Sequence, residues 1–406
     1  MNGVTAPIFN TIFGRNNTKV FFPKVDSSLR EIEPELLSRL KRYVTYVAIA
    51  HCKYGFEQWK CGRCQKESLT SNTEFIKTFQ GPALGAFGYV ALKKEFKEIY
   101  VNFNGASSPM HWKLMQNEFN LVVFPTSKSF KDSYKFKKEV KVHSGFLKLF
   151  NDVYPLVLER IQMALESCSD CQLVITGHSM GGIFLGMLAI RLRNDNLGIA
   201  NPILASFGSP RVGNSVFAMV VPKVCKEAYR IVHNSDNVAK IPPRILGYRH
   251  YATEIWIADQ YIGPGKPQIP VAFKDPVGSD FKNILPKTFI CDRKSRISKE
   301  DKRCLNSTPL HLGLRIIKNP AQALQIIPTA DEKKLEIDPE KIVNPEVNFK
   351  KWIDYHLHQS SFPNFYMHST FWGIYSTSFS KFGFCLSQPE YLKLKEMNLL
   401  NDHSTH

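Results

Sequence analysis

The residues Gly177-His-Ser-Met-Gly181 carry the pattern G-x-S-x-G. A serine so flanked is a nucleophile candidate where a strand feeds a helix through a sharp turn, because that turn exposes its hydroxyl. The flanks agree. Leu173-Val-Ile-Thr176 reads as a strand, and an apolar helical pattern begins at about Gly181. Glycines at 177, 181 and 182 permit close backbone approach where a Cβ would clash. A helix N-terminus behind Ser179 offers N–H groups and a positive dipole end to a developing oxyanion. The competing interpretation is a glycine-rich turn with an incidental serine.

A serine hydroxyl needs a base, usually histidine, oriented by a carboxylate. In α/β-hydrolases, whose serine-bearing turn this pattern resembles, the acid follows the serine in sequence and the histidine comes last. Tyr229-Arg-Ile-Val-His233 reads as a strand, and Asn234-Ser-Asp236 follows it. Asp236 is therefore the candidate acid, although aspartate is also common in such places as a turn former. The later histidines are 250, 311, 356, 358, 368, 403 and 406. His250 reads equally well as a core histidine held by hydrogen bonds. His356 and His358 fall in a possible insertion, and the last two in a polar tail. His311 and His368 remain as candidate bases.

These groups need a scaffold. Residues 1–30 read as a polar tail, and a helix is expected from Ser28 to about Cys52. Buried strands are expected at Glu98–Phe103, Leu121–Phe124, Gln172–Thr176, Pro202–Phe207 and Tyr229–His233. Helical patterns at 145–167 and from Gly181 alternate with them. That alternation predicts an α/β fold with a mostly parallel sheet covered on both faces. The stretch at about 306–363 is charged and proline-punctuated, and reads as an insertion in one domain over 31–386. Residues 387–406 read as a second tail.

Hydrophobic residues make up 43% of the 406 and aromatics 12%, which excludes a disordered chain. No apolar run approaches the roughly 18 residues of a bilayer span, so a soluble or peripheral protein is expected. The net charge is +17. Six lysines between Lys128 and Lys141 stand against Asp132 and Glu139. That run reads as a solvated loop, and the sharper alternative is a patch for anionic lipid. No zinc-finger, KH or RNP-type signature points to nucleic acid.

Nine cysteines include the close pairs Cys61/Cys64 and Cys168/Cys171, with Cys291 and Cys304 as a third. A four-cysteine zinc site is the rival for the close pairs, but the long gap between them favours disulfides in an oxidising compartment. Sequons at Asn16 and Asn306 are compatible with that. The start of the sequence shows no charged n-region followed by an apolar segment. Residence in the secretory lumen or outside the cell is therefore expected from the cysteines alone.

Several segments together resemble the class 3, or fungal-type, triacylglycerol lipases of the α/β-hydrolase superfamily. They are Tyr43–Cys52 with Trp59-Lys-Cys-Gly-Arg-Cys64, Val101–Trp112, Val142-His-Ser-Gly-Phe146, Phe207-Gly-Ser-Pro-Arg-Val-Gly-Asn214, Arg230–Pro243 and Gly247–Trp256. His368-Ser-Thr-Phe-Trp-Gly373 is similar to the family's histidine segment, so the resemblance favours His368 as base and keeps His311 as the alternative. It implies an oxyanion hole from the backbone N–H groups of Ala106 and Met180. It also implies a lid near 108–121, with Met110 and Trp112 touching lipid. It pairs Cys61 with Cys64, Cys291 with Cys304 and Cys52 with Cys385. Cys168–Cys171 has no counterpart, and Cys225 is left as a buried thiol. Three positions depart from the family pattern. Ala106 stands where a hydroxyl residue is usual, Asn104 where arginine is usual, and Met367 where aspartate is common. The implied activity is hydrolysis of lipid esters without metal or cofactor. A phospholipase, a feruloyl-type esterase or a non-catalytic lipid-binding homologue are the alternatives.

Overall fold

The computed structural model describes residues 23–51, 58–61, 64, 69–81, 87–105, 120–236, 238–262, 284–291 and 301–305, and the backbone of 370–371 and 374–375. In chain order the elements are β1 (Arg30–Glu31), α1 (Pro34–Ile49), β2 (Glu74–Gln80), β3 (Phe87–Lys93), β4 (Glu98–Phe103), β5 (Leu121–Val123), α2 (Lys128–Tyr134), β6 (Lys141–His143), α3 (Ser144–Ser167), β7 (Gln172–His178), α4 (Ile183–Asn194), β8 (Ile203–Phe207), α5 (Ser215–Val220), β9 (Glu227–His233), β10 (Thr253–Tyr261), β11 (Ile284–Cys291), β12 (Thr370–Phe371) and β13 (Ile374–Tyr375).

One sheet runs β1-β11-β10-β9-β8-β7-β4-β3-β2. Its centre, β4-β7-β8-β9-β10, is parallel throughout. Antiparallel strands close both edges. The expected α/β-hydrolase architecture is thus present. Every residue of β4 is buried, as a central strand covered on both faces requires. Ile99, Val101, Ile175 and Leu204 pack into the core that contains the buried faces of α3 and α4. Tyr100, Val174, Ala205 and Ile231 face the opposite core under α1. Helix α4 is apolar nearly all round and buried, which places it inside the molecule.

Four expectations change. Helix α1 begins at Pro34, not Ser28, because Arg30 and Glu31 pair with Ile290 and Phe289 of β11 and the residue before a proline disfavours helix. β5 is not a core strand. It pairs only with β6 in a separate ribbon, and Val123 is 48% exposed. The lysine-rich run is a loop only in its second half: Lys128 and Lys131 lie in α2, Lys135, Lys137 and Lys138 are exposed beyond its end, and Lys141 opens β6. Ser127 caps α2 by accepting from the Phe130 N–H at 3.1 Å, buried Phe130 anchors it, and Lys131 pairs with Glu139 at 2.9 Å. The helix after Ser179 starts at Ile183, preceded by a 3₁₀ turn over Ser179–Gly182. The two tails beyond 23–30 and the 306–363 excursion lie outside the described residues.

Candidate active site

Ser179 lies where β7 ends and the 3₁₀ turn into α4 begins, with φ +53°. A non-glycine residue in that region is uncommon, and such strain gathers at functional sites. The turn is tight because Gly181 sits against the carbonyl oxygens of Phe103 and Asn104, which a Cβ would strike. Met180 is fully buried in this turn.

The end of β4 approaches the serine from the other side. A Cβ on Gly105 would lie 3.2 Å from Ser179 Cβ and 3.3 Å from His51 Cε1. The Gly105 N–H donates to His51 Nε2 at 3.4 Å. The rings of His51 and His178 meet edge to face, their centroids 5.3 Å apart. Asn104 braces this approach. Its backbone N–H donates to the Phe87 carbonyl at 3.0 Å. With its amide oriented to donate, its side chain reaches Phe87 O at 2.9 Å and Gly105 O at 3.2 Å. The histidine pair was missed in the sequence, where His51 reads as part of a helix and His178 as a variable motif position.

Asp236 is fully buried just past β9. Its N–H donates to the His233 carbonyl at 3.1 Å. One carboxylate oxygen, Oδ1, accepts from the Val238 N–H at 2.9 Å. The turn-forming role is therefore real and employs that oxygen. β7 and β9 flank β8, so Ser179 and Asp236 leave the same end of the sheet two strands apart, about 10 Å by strand spacing. An imidazole fits between groups so separated.

The motif Phe207–Asn214 supports this acid-bearing loop. Arg211 Nη1 donates to the carbonyls of Lys240 and Pro242, the latter at 3.1 Å, and the Arg211 N–H donates to Ile241 O at 2.7 Å. Asn214 caps α5 by accepting from the Phe217 N–H at 2.9 Å. Lys240 is 8% exposed, and burial pulls its ammonium down to about 8 against the opposing pull of Asp236. His250 is a core histidine, with Nε2 2.7 Å from Ala239 O. His143 Nδ1 accepts from the Gly145 N–H at 3.1 Å and its ring stacks on Phe146, so the Val142–Phe146 motif is a helix start.

Cys61–Cys64, Cys168–Cys171 and Cys291–Cys304 are disulfides, and Cys225 is a buried thiol. Each close pair is joined within itself, which sets aside the shared four-cysteine zinc site. Leu305, just past Cys304, donates its N–H to Glu254 Oε1 at 3.0 Å. Glu254 Oε2 pairs with Arg230 at 2.5 Å, both fully enclosed. Ala106, Met110, Trp112, His311, His368 and the Cys52/Cys385 pair lie outside the described residues. The backbone of β13, shortly after His368, lies against α1. Among the described residues no helix is long and apolar enough to cross a membrane.

The family Lipase (class 3) matches residues 100–246. The chain is 30% identical over 278 residues to a lipase of Rhizopus niveus, covering 66% of this chain and 65% of that protein. It is 27% identical to secreted mono- and diacylglycerol lipase 1 of Fusarium solani, covering 58% of this chain and 70% of that protein. It thus spans just under two thirds of the length of the Rhizopus relative. Among solved structures, a Rhizopus microsporus var. chinensis lipase superposes with TM-score 0.53 at 25% identity, over 72% of this chain and 88% of that one. A triacylglycerol lipase whose catalytic centre is a serine-protease triad shares the fold at TM-score 0.53 and 24% identity, over 70% and 94%.

Proposed function

Because this chain belongs to the class 3 lipase family, we propose that it is a serine hydrolase of lipid carboxylic esters, a triacylglycerol lipase working through an acyl-enzyme on Ser179. The observation that carries this reading is Ser179 itself, held at φ +53° between strand and helix with Gly105 packed against it. Ser179 Oγ attacks the ester carbonyl while His368 accepts its proton. Asp236 orients the imidazole and stabilises its charged form. The N–H groups of Ala106 and Met180 receive the oxyanion. His368 then returns the proton to the leaving alcohol, and water releases the fatty acid by the reverse sequence.

The segment carrying Met110 and Trp112 supplies apolar contact with the lipid surface. The relative named as a secreted acylglycerol lipase, together with three disulfides, supports an oxidising destination for this chain. The domain spans 31–386, with the 306–363 excursion inserted in it.

The test uses the purified protein. Wild type should label with a fluorophosphonate at Ser179 and release fatty acid from triolein. Ser179→Ala should abolish labelling and cut kcat by about 10⁴-fold or more. Full esterase activity in Ser179→Ala would sink the reading, and a wild type that neither labels nor hydrolyses would favour a lipid-binding homologue. Parallel assays on phospholipid and feruloyl esters fix the substrate.

A further inference from the structure

We infer that Asp259 and His233 are a positioning pair for the Asp236 carboxylate, a second histidine–aspartate couple set behind the proposed triad. The inference rests on the reading of Asp236 given above.

β9 delivers its last residue, His233, opposite Ile257 of β10. The chain then turns at Asn234, with φ +45°. Asparagine tolerates that region better than most side chains, yet tolerance alone does not fix a direction. Here β10 fixes it through every hydrogen-bonding group of Asn234. The Asn234 N–H donates to Ile257 O at 2.7 Å. The Asn234 carbonyl accepts from Trp256 Nε1 at 2.8 Å. Its side-chain oxygen accepts from the Asp259 N–H at 2.8 Å, and its side-chain nitrogen donates to Asp259 Oδ2 at 3.0 Å.

The same Asp259 Oδ2 lies 2.7 Å from His233 Nε2. One carboxylate oxygen therefore holds two consecutive residues of the loop. Neither member of the pair is more than 2% exposed. A buried carboxylate is costly unless paired and hydrogen-bonded, and a strand end that only needed to turn would not require one. What the expense secures lies two residues on. The Asp236 N–H donates to the His233 carbonyl, so the residue gripped by Asp259 also anchors the backbone of Asp236. Loss of the grip would let the Asp236 carboxylate drift relative to the imidazole it orients, with Ser179 untouched.

The predicted signature is a loss in kcat with little change in KM. A misplacement of about 1 Å costs on the order of 10- to 100-fold. Asp259→Asn keeps shape and removes the charge, and His233→Leu removes the donor. Each should lower kcat on a soluble ester by that factor, with KM within about twofold and the fluorophosphonate labelling rate falling in step. His233→Gln, whose amide can still donate to Asp259, should retain kcat within about threefold. Rates are normalised to folded protein by near-ultraviolet circular dichroism, so that a purely structural role lowers melting temperature alone. If Asp259→Asn does not accumulate folded, the contrast of His233→Leu with His233→Gln decides. Folded Asp259→Asn and His233→Leu with wild-type kcat, beside inactive Ser179→Ala and Asp236→Asn, would overturn the positioning role only. Activity surviving in Ser179→Ala would instead overturn the reading beneath it.

Discussion

Lys240 should leave a measurable mark on stability against pH. The residue closes the short turn after Asp236 and is 8% exposed. Burial draws its pKa from 10.5 to about 8, with Arg211 pulling the same way and Asp236 and Glu254 opposing. The unfolded chain therefore binds the proton more tightly than the folded one. Between those values the folded amine is neutral and the unfolded one charged, so stability rises with pH. The contribution is complete above pH 10.5 and is lost as pH falls through about 8. A difference of about 2.5 units corresponds to about 3 kcal/mol across that window. The perturbation is Lys240→Met, of similar length and without a proton to exchange. Urea unfolding of both proteins at intervals from pH 7 to 10.5 gives the difference curve. Buried tyrosines such as Tyr43, whose pKa burial raises, act oppositely at alkaline pH but do so in both proteins. Wild type should gain about 3 kcal/mol on the variant from the bottom to the top of the window. A flat difference curve would refute the burial argument, because it would mean Lys240 keeps its proton equally in both states.

Two further outcomes follow from the packing. Gly181→Ala drives a Cβ into the Phe103 and Asn104 carbonyls, so it should cost at least the 1–3 kcal/mol typical of overpacking and lower esterase activity, read by urea unfolding and by hydrolysis rate. Replacing Cys291 and Cys304 together by serine opens a loop of sequence separation 13 and should cost about 3 kcal/mol. The same change at Cys61 and Cys64, with separation 3, should cost less, and thermal denaturation of the two variants side by side tests the order.

The proposed nucleophile was legible because its signal is local. Strand, glycines and helix all fall within a few residues of Ser179, and Asp236 follows a strand just as visibly. Strands β4, β7, β8 and β9 were legible for the same reason, being short continuous apolar runs, whereas β10 was not singled out. Strand β2, Glu-Phe-Ile-Lys-Thr-Phe-Gln, was not, because one half-exposed edge strand interleaves charge with apolar residues. The Asp259 brace was invisible for a different reason. Asp259 is remote in sequence from His233, and only the parallel register of β9 and β10 brings them together. Arg211 belongs with it. The motif around it stood out, but its task, holding the carbonyls of Lys240 and Pro242, depends on a loop that the chain reaches only after another strand. In the lysine-rich run, charge density hid Ser127 as a helix cap and Phe130 as an anchor, so the helical first half went unseen while the exposed second half reads as it is.

The anchoring of Leu305 bears on how this chain tolerates change in length. A disulfide at Cys304 and a carboxylate at Glu254 fix the point where the chain leaves β11's neighbourhood, and the next described backbone is the β12–β13 pair. Closing the path between two fixed points costs entropy that grows only logarithmically, about 0.6 kcal/mol for each doubling of its length. The anchor is itself part of β10, since Glu254 lies in that strand, so the point of departure is held by the strand that pairs with β9 ahead of the Asp236 loop. A change in the number of residues between positions 305 and 363 therefore carries only that logarithmic cost in closure entropy, with the proposed base His368 left in its place before β12.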